Sequence, residues 1–274
     1  MFKIYDLNMK EIPFPDGVIP LEIFVGSVGK ERVTEAVDGR SGVVDYGFNY
    51  TDRPVSLFLR IKAADAADFR LLRNEVFATF DVGSAFYVAE SDVPSRVLKV
   101  VVDESYIPDR LTEEYADFDI NCRTLDSVFW ESKYTTLELH DSGYSATAEK
   151  YGLVDNINVD KVKYRFTENT FTVYNAGNVT IEPESMYINI GMRNVSTSGG
   201  FKILNETTRD FHVINTSHKN RHLRINGMVA TNGTINNFRN TNRKFIRLFP
   251  GDNVFKITGG TFDEIEVDFK YLYK

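Results

Sequence analysis

The sequence is poor in cysteine and lacks the patterns that direct a chain to or across a membrane. Its one cysteine, Cys122, cannot form an intramolecular disulfide, and a metal site needs several ligands close together. No apolar run approaches the roughly 18 residues that cross a bilayer. Residues 1–10 alternate polar and apolar side chains, unlike a secretory signal. We therefore expect a soluble protein, made in a cytoplasm, with no membrane partner.

Sequence motifs of catalysis and phosphate binding are also missing. There is no nucleophile elbow and no phosphate-binding loop ending in Gly-Lys-Ser/Thr, and the glycines at 26 and 29 lack the third glycine of a dinucleotide-binding loop. His218 and His222 have a spacing that could hold zinc on a helix, but no glutamate lies between them. We interpret both as histidines of a surface loop, and we predict no metal and no cofactor.

Clusters of carboxylates are the remaining candidates for chemistry, because glycoside hydrolysis uses two of them at a defined separation. They occur at 113–114, at 117 and 119, and at 264, 266 and 268. The last two sets alternate with apolar residues, as on the solvated face of a strand. We therefore predict no catalytic residue and no enzyme.

Charge and composition limit the class of protein further. The net charge is −7, which argues against specific binding of nucleic acid because phosphate recognition requires a concentrated basic face. Hydrophobic residues make up 42% of the chain, enough to form a core. There are 21 Phe and 14 Tyr but one Trp, and aromatic residues favour strands. We expect a mainly β fold.

The first half of the chain predicts one helix among strands. Phe69, Leu72, Val76 and Phe80 recur at helical spacing after Asp65, a good N-cap, so a helix is expected over 65–80. Strands are predicted at 18–25, 55–61, 85–89, 96–102 and 115–124, and an exposed turn or loop at 38–47. We expect residues 1–132 to form a β-sandwich or split barrel with one helix on its side.

The second half, residues 133–274, predicts short strands with turns between them and no helix. The strands are expected at 162–166, 170–174, 201–204, 245–249, 254–257 and 265–271. This spacing is typical of a β-sandwich. Residues 140–160 are polar with few clear periods, and we leave open a linker, a long loop or a short helix at 146–151.

The order of these blocks resembles the distal tail proteins of long-tailed bacteriophages that infect Gram-positive bacteria. The blocks are RPVSLFLR at 53–60, DFRLLRNEVF at 68–77, AFYV at 85–88, RVLKVVVD at 96–103, DSVFW at 126–130, AGN at 176–178, FKILNETT at 201–208, LRING at 223–227 and PGDN at 250–253. The likeness lies in their order and spacing across nearly the whole chain. The resemblance implies a C-terminal galectin-like β-sandwich behind an N-terminal ring-forming module.

What the resemblance implies about function is structural. Such proteins form a hexameric ring at the tip of the tail, joining the tail tube protein to the tail-tip hub or fibre protein, and DNA passes through the ring. In some relatives the sandwich supports a receptor-binding protein. The residues alone leave a second hypothesis open, which is a carbohydrate-binding β-sandwich that attaches to host cell-wall glycan.

Overall fold

A computed structural model describes residues 1–81, 83–142 and 157–274, and these fall into two compact units. Unit 1 comprises residues 1–130 with Lys274, and unit 2 comprises residues 131–273. The elements that begin in unit 1 are β1 (Phe2–Tyr5), β2 (Glu11–Ile12), β3 (Val18–Val25), β4 (Gly29–Ala36), β5 (Val43–Thr51), β6 (Pro54–Lys62), α1 (Ala66–Phe80), β7 (Phe86–Glu90), β8 (Arg96–Val102), β9 (Asp109–Arg110), β10 (Tyr115–Thr124) and β11 (Trp130–Ser132).

An antiparallel sheet forms the body of unit 1. Its strand order is β2-β1-β7-β8-β10-β6-β3, with β9 paired to one end of β10. The strongest pairing joins β10 to β6 in continuous register from Tyr115↔Lys62 to Arg123↔Pro54. Apolar side chains alternate along both strands, and those on the inner face, such as Leu57, Leu59 and Ile120, are fully buried. This sheet confirms the mainly β prediction.

Helix α1 covers the buried face of this sheet. Asp65 caps it by accepting hydrogen bonds from the backbone N–H groups of Ala67 and Asp68, both at 2.8 Å. The predicted apolar stripe at 69, 72, 76 and 80 is buried. Gly17 allows the close packing, because a Cβ there would lie 2.8 Å from the Lys62 carbonyl oxygen and 2.9 Å from Leu72. The helix prediction is confirmed.

Strands β4 and β5 form a two-stranded hairpin that is hydrogen-bonded to no other described strand. The expected loop at 38–47 is therefore wrong in its second half, since β5 begins at Val43. The turn itself is confined to 37–42, where Gly39 and Gly42 have φ values of 79° and 88°. Gly47 is not a turn residue but lies within β5.

Unit 2 contains strands and one short α-helix among its described residues. Its elements are α2 (Thr136–Ser142), β12 (Arg165–Phe166), β13 (Thr170–Asn175), β14 (Ile188–Thr197), β15 (Phe201–Asn205), β16 (Phe211–Ile214), β17 (His218–Asn226), β18 (Val229–Asn232), β19 (Ile235–Asn236), β20 (Gly251–Thr258), β21 (Glu264–Phe269) and β22 (Leu272–Tyr273). One sheet has the order β12-β21-β14-β17-β18-β19, and the other the order β13-β20-β15-β16.

The two sheets pack face to face around an aromatic core. Phe166 of the six-stranded sheet stacks on Phe171 of the four-stranded sheet with ring centroids 4.1 Å apart, and Phe171 stacks in turn on Phe255. The Tyr164 hydroxyl donates to the Tyr174 carbonyl at 2.7 Å, which satisfies a polar group inside this core. The β-sandwich predicted for this half is confirmed.

Two predictions for unit 2 are wrong. A helix does follow residue 132, because α2 begins at Thr136. The expected strand at 245–249 makes only an isolated bridge between Leu248 and Ile181. Its backbone groups are satisfied by side chains instead: Asp210 accepts the N–H of Arg247, and Asn253 accepts the N–H of Phe249. The suggested helix at 146–151 lies outside the described residues.

Candidate assembly surface and binding groove

The β4–β5 hairpin exposes a cluster of apolar and aromatic side chains. Side chains of 43–61% exposure project from it at Val43, Tyr46 and Phe48, and Val33, Val37 and Tyr50 are exposed as well. A two-stranded hairpin is marginally stable in water by itself, and both of its outer edges carry unpaired backbone groups. An exposed apolar patch of this kind is a candidate interaction site. We call residues 29–51 the assembly hairpin.

Within the assembly hairpin, aromatic and charged side chains contact one another. Phe48 and Tyr50 meet edge to face with centroids 5.2 Å apart, and the Lys30 ammonium lies 5.2 Å from the Phe48 ring centroid. Arg32 pairs with Asp45 across the strands at 2.5 Å. The apolar side chains are therefore held in place although they bury little surface within their own unit.

Arg53 anchors the base of the assembly hairpin. Its side chain is buried, and its Nε donates to the Gly26 carbonyl at 2.6 Å while Nη1 donates to the Val128 carbonyl at 3.4 Å. Its backbone N–H donates to the Thr124 hydroxyl at 3.0 Å. Burial lowers the pKa of this guanidinium. Arg53 therefore ties together the two chain segments that flank the hairpin and the segment that follows β10.

The histidines that the sequence singled out do not lie in a loop. His218 and His222 both belong to β17, so the loop interpretation is wrong, since this segment pairs with β14 across a register shift. The His222 ring is exposed, whereas burial lowers the pKa of His218. Among residues 1–81, 83–142 and 157–274, no group of three or more His, Cys, Asp or Glu is placed to hold a metal ion.

Two of the three carboxylate clusters, those at 117 and 119 and at 264, 266 and 268, contain carboxylates in ion pairs. Asp117 forms a two-pronged ion pair with Arg60 at 2.6 Å, which lowers the pKa of the carboxyl group. Glu264 and Glu266 both contact Arg165. Asp268 departs from the prediction of a solvated strand face, because it is buried and accepts hydrogen bonds from the Leu137 N–H at 3.0 Å and the Tyr187 hydroxyl at 2.7 Å.

Cys122 lies on the inner face of β10 and is 4% exposed. It is thus more buried than the half-buried strand position expected for it. Burial raises the pKa of its thiol to about 12, so the thiolate needed for reactivity is scarce at neutral pH.

In the part of the chain that the structure describes, no helix has the length and apolar character to span a membrane.

A polar groove of about 610 Å³ lies on the outer face of the six-stranded sheet. It is bordered by charged and polar side chains of β14, β17, β18 and β21 together with the apolar side chains of Met192, Leu223 and Val229. Its floor is Gly191, and the ion pair between Arg224 and Glu266, 4.0 Å long, spans that glycine. Sequence reasoning missed this groove, because its parts come from strands that lie far apart in the chain.

Comparison with known proteins finds similarity to phage tail proteins. Residues 8–122 match the sequence model of the phage tail protein RIFT-related domain. The fold is similar to that of the Dit protein (gp 19.1) of phage SPP1, described as a paradigm of the hub adsorption apparatus in phages that infect Gram-positive bacteria. That similarity has a TM-score of 0.67 at 12% identity and covers 99% of this chain and 100% of the SPP1 chain.

Two further matches are chains of the phage p2 baseplate in its activated conformation, one with strontium and one with calcium. Their TM-scores are 0.44 and 0.42 at 10% identity, covering 98% and 100% of this chain and 97% of each p2 chain. A search of curated proteins gave no match. The resemblance to siphovirus distal tail proteins is thus confirmed: residues 8–122, within unit 1, match the phage tail RIFT-related domain, and the fold of the whole chain is similar to that of the SPP1 Dit protein.

Proposed function

We propose that this protein forms an oligomeric ring, hexameric as the resemblance implies, at the tip of a phage tail. Residues 1–132 are the ring-forming module, and residues 133–274 are the galectin-like sandwich. The observation that carries the proposal is the assembly hairpin, which presents apolar side chains and open strand edges on the domain that matches the phage tail model.

The occupant of this surface is a second copy of the same chain. A ring closes when one surface of each subunit contacts a different surface of the next. Unit 1 offers such a second surface at β3, the last strand of its sheet. Phe24 on this strand is 56% exposed, and its outer edge is free to pair. Pro20 and a register shift at 20–22 blunt the first half of β3, which leaves the second half as the pairing site.

The proposed role of the ring is structural and not catalytic. Its two faces join the tail tube protein and the tail-tip hub or fibre protein, and its lumen passes DNA without holding it, consistent with a net charge of −7. The protein acts in the virion tail tip after synthesis in the host cytoplasm. No enzymatic role is proposed: Asp117 and Glu266 are engaged in ion pairs, Asp268 caps α2, and the one thiol is buried.

The test is the mass of the full chain in solution, measured by light scattering and native mass spectrometry. Phe48→Asp places a charge on the apolar face of the assembly hairpin and is expected to shift the ring towards monomer without unfolding either unit. Ile235→Asp, at a side chain 71% exposed in unit 2, is the matched control and should leave the ring intact. A wild-type chain that stays monomeric, alone and with tail tube and hub proteins present, would contradict the proposal.

The alternative function is attachment to cell-wall glycan. The aromatic residues of unit 2, which suggested it, do not favour it. Half of the described Phe and Tyr side chains of unit 2 are core residues, among them Phe201, Phe255 and Tyr271, which are fully buried. They cannot offer stacking surfaces to a sugar. Any carbohydrate site must therefore be built from other groups, and the polar groove supplies them.

A further inference from the structure

The polar groove owes its depth to a missing side chain. Gly191 lies in β14 directly between Arg224 of β17 and Glu266 of β21. A Cβ atom at this position would stand 2.6 Å from the Glu266 Oε1 atom and 2.7 Å from its Cγ. The glycine therefore keeps open the space between an arginine and a carboxylate, which face each other across a gap of 4.0 Å.

One wall of the groove has unused hydrogen-bonding groups. His222, Arg224 and Asn226 occupy alternate positions of β17, so their side chains point to the same face, and all three are exposed. Within the described parts of the chain, neither the ring of His222 nor the side-chain amide of Asn226 makes a hydrogen bond. Arg224 reaches its one carboxylate only at 4.0 Å, which leaves most of its five N–H donors available.

The opposite wall carries carboxylates that are already held in position. Glu264 contacts Arg193 at 3.2 Å and Arg165 at 3.4 Å, and Glu266 contacts Arg165 at 2.9 Å. An oxygen of each carboxylate is fixed by an arginine, while lone pairs remain to accept further donors. This wall is a set of oriented acceptors that need no reorganisation when a ligand arrives.

The charges around the groove balance. Three guanidinium groups, those of Arg165, Arg193 and Arg224, are matched by Glu264 and Glu266 together with Asp141, which contacts Arg165 at 3.2 Å. A ligand of a single charge gains no net attraction here. A neutral ligand with adjacent donors and acceptors does gain, because its hydroxyl groups can donate to the carboxylates and accept from Arg224 and Asn226.

We propose that this groove binds one residue of a neutral saccharide. Vicinal hydroxyl groups match a donor wall and an acceptor wall separated by the width of one strand. No Trp, Tyr or Phe is found among the described lining residues, so stacking contributes nothing and the affinity is weak, with a dissociation constant of about 1 mM for a single sugar. This inference is independent of the ring, because it depends only on unit 2.

The experiment is saturation-transfer NMR on the full chain with glucose, galactose, rhamnose and N-acetylglucosamine as separate probes at about 10 mM, and with glycerol phosphate as an anionic probe. At least one neutral sugar should receive saturation. Arg224→Ala removes the donor and Gly191→Ala fills the floor, and each should weaken binding about tenfold or more. Arg221→Ala, on the same strand but outside the groove, is the matched control and should bind as the wild type does.

Three results would overturn the proposal. The first is no transfer to any neutral sugar, and the second is transfer to glycerol phosphate alone. The third is sugar binding that persists undiminished in both the Arg224 and Gly191 variants, which would move the site elsewhere. Circular dichroism of each variant establishes that a loss of binding is not a loss of fold. The ring is measured separately by mass, so failure of either proposal leaves the other testable.

Discussion

At the scale of single residues, two buried polar side chains, Arg53 and His212, donate to backbone carbonyls rather than to side chains of opposite charge. Arg53 is the clearest case, since both of its described side-chain hydrogen bonds go to carbonyl oxygens, those of Gly26 and Val128. A backbone carbonyl does not titrate, and a side-chain substitution does not remove it. The Arg53 guanidinium therefore holds these chain segments in a fixed relative position. This positioning role is larger than its net contribution to the free energy of unfolding.

Replacing Arg53 should expose that role. Arg53→Ala leaves two half-buried carbonyl oxygens without this donor, and we expect the free energy of unfolding to fall by about 2 kcal/mol in urea titrations. Arg123→Ala is the matched control, because this half-exposed arginine pairs only with Asp52 and Asp103 at the surface. It should cost about 0–1 kcal/mol. Equal losses in the free energy of unfolding for the two variants would contradict the positioning role of Arg53.

His212 should make the stability of unit 2 depend on pH. It is fully buried, its Nδ1 donates to the Lys244 carbonyl at 2.7 Å, and its Nε2 has no partner within the described residues. Burial lowers the pKa of this ring below its usual 6.5. Because the unfolded chain then binds the proton more readily than the folded one, stability is full above pH 6.5 and falls as the pH drops below it.

The measurement is the unfolding midpoint in urea between neutral and mildly acidic pH. His212→Gln removes the titrating ring and should flatten the acid-side decline, even if the variant is less stable at every pH. His222→Gln, which changes an exposed ring, should keep the wild-type decline. A wild-type midpoint that rises on acidification through this range would show that the assigned direction is wrong.

At the scale of elements, α2 depends on a residue more than a hundred positions away. A helix of seven residues is too short to be stable alone. Asp268 of β21 accepts hydrogen bonds from the Leu137 N–H and the Thr136 hydroxyl, and the Thr136 hydroxyl also accepts from the Phe269 N–H. The start of α2 is therefore capped by the sheet on which it lies.

Removing this cap should release the helix. Asp268→Ala leaves the half-buried N–H of Leu137 and the Tyr187 hydroxyl without their acceptor, and we expect a loss of about 2 kcal/mol in the free energy of unfolding. Burial and the Asp268 hydrogen bond raise the pKa of Tyr187 to about 12, so the variant should also lower that pKa, which ultraviolet titration detects. Glu184→Ala, at an exposed position, is the control. An unchanged Tyr187 titration would contradict the contact.

The elements that sequence predicted correctly are those whose cause is local. The alternation of Phe118, Ile120 and Cys122 in β10 and the stripe of α1 depend on spacing within one segment, so both were predicted to within a residue or two. The errors have distant causes. Helix α2 needs Asp268, and the absent strand at 245–249 results from Asp210 and Asn253. The polar groove needs four strands and a glycine, a combination that no local pattern reveals.

At the scale of the whole molecule, the assembly hairpin makes a prediction that mass alone does not. In a monomer its amides are held only by a two-stranded ribbon, so residues 29–36 and 43–51 should exchange their hydrogens fast compared with β6 or β10. In a ring, pairing with the edge of the next subunit's β3 would protect these amides, and the second half of β3 with them.

Hydrogen exchange followed by mass spectrometry separates these states. Peptides that cover the hairpin and residues 22–25 should exchange more slowly in the wild-type ring than in Phe48→Asp, while peptides from unit 2 should match in the two proteins. Ile235→Asp should reproduce the wild-type pattern. A ring whose hairpin still exchanges as fast as in the monomer would mean that assembly uses another surface. The apolar side chains at 43, 46 and 48 would then be free to bind a tail tube or hub protein instead, because a ribbon so exposed requires some partner.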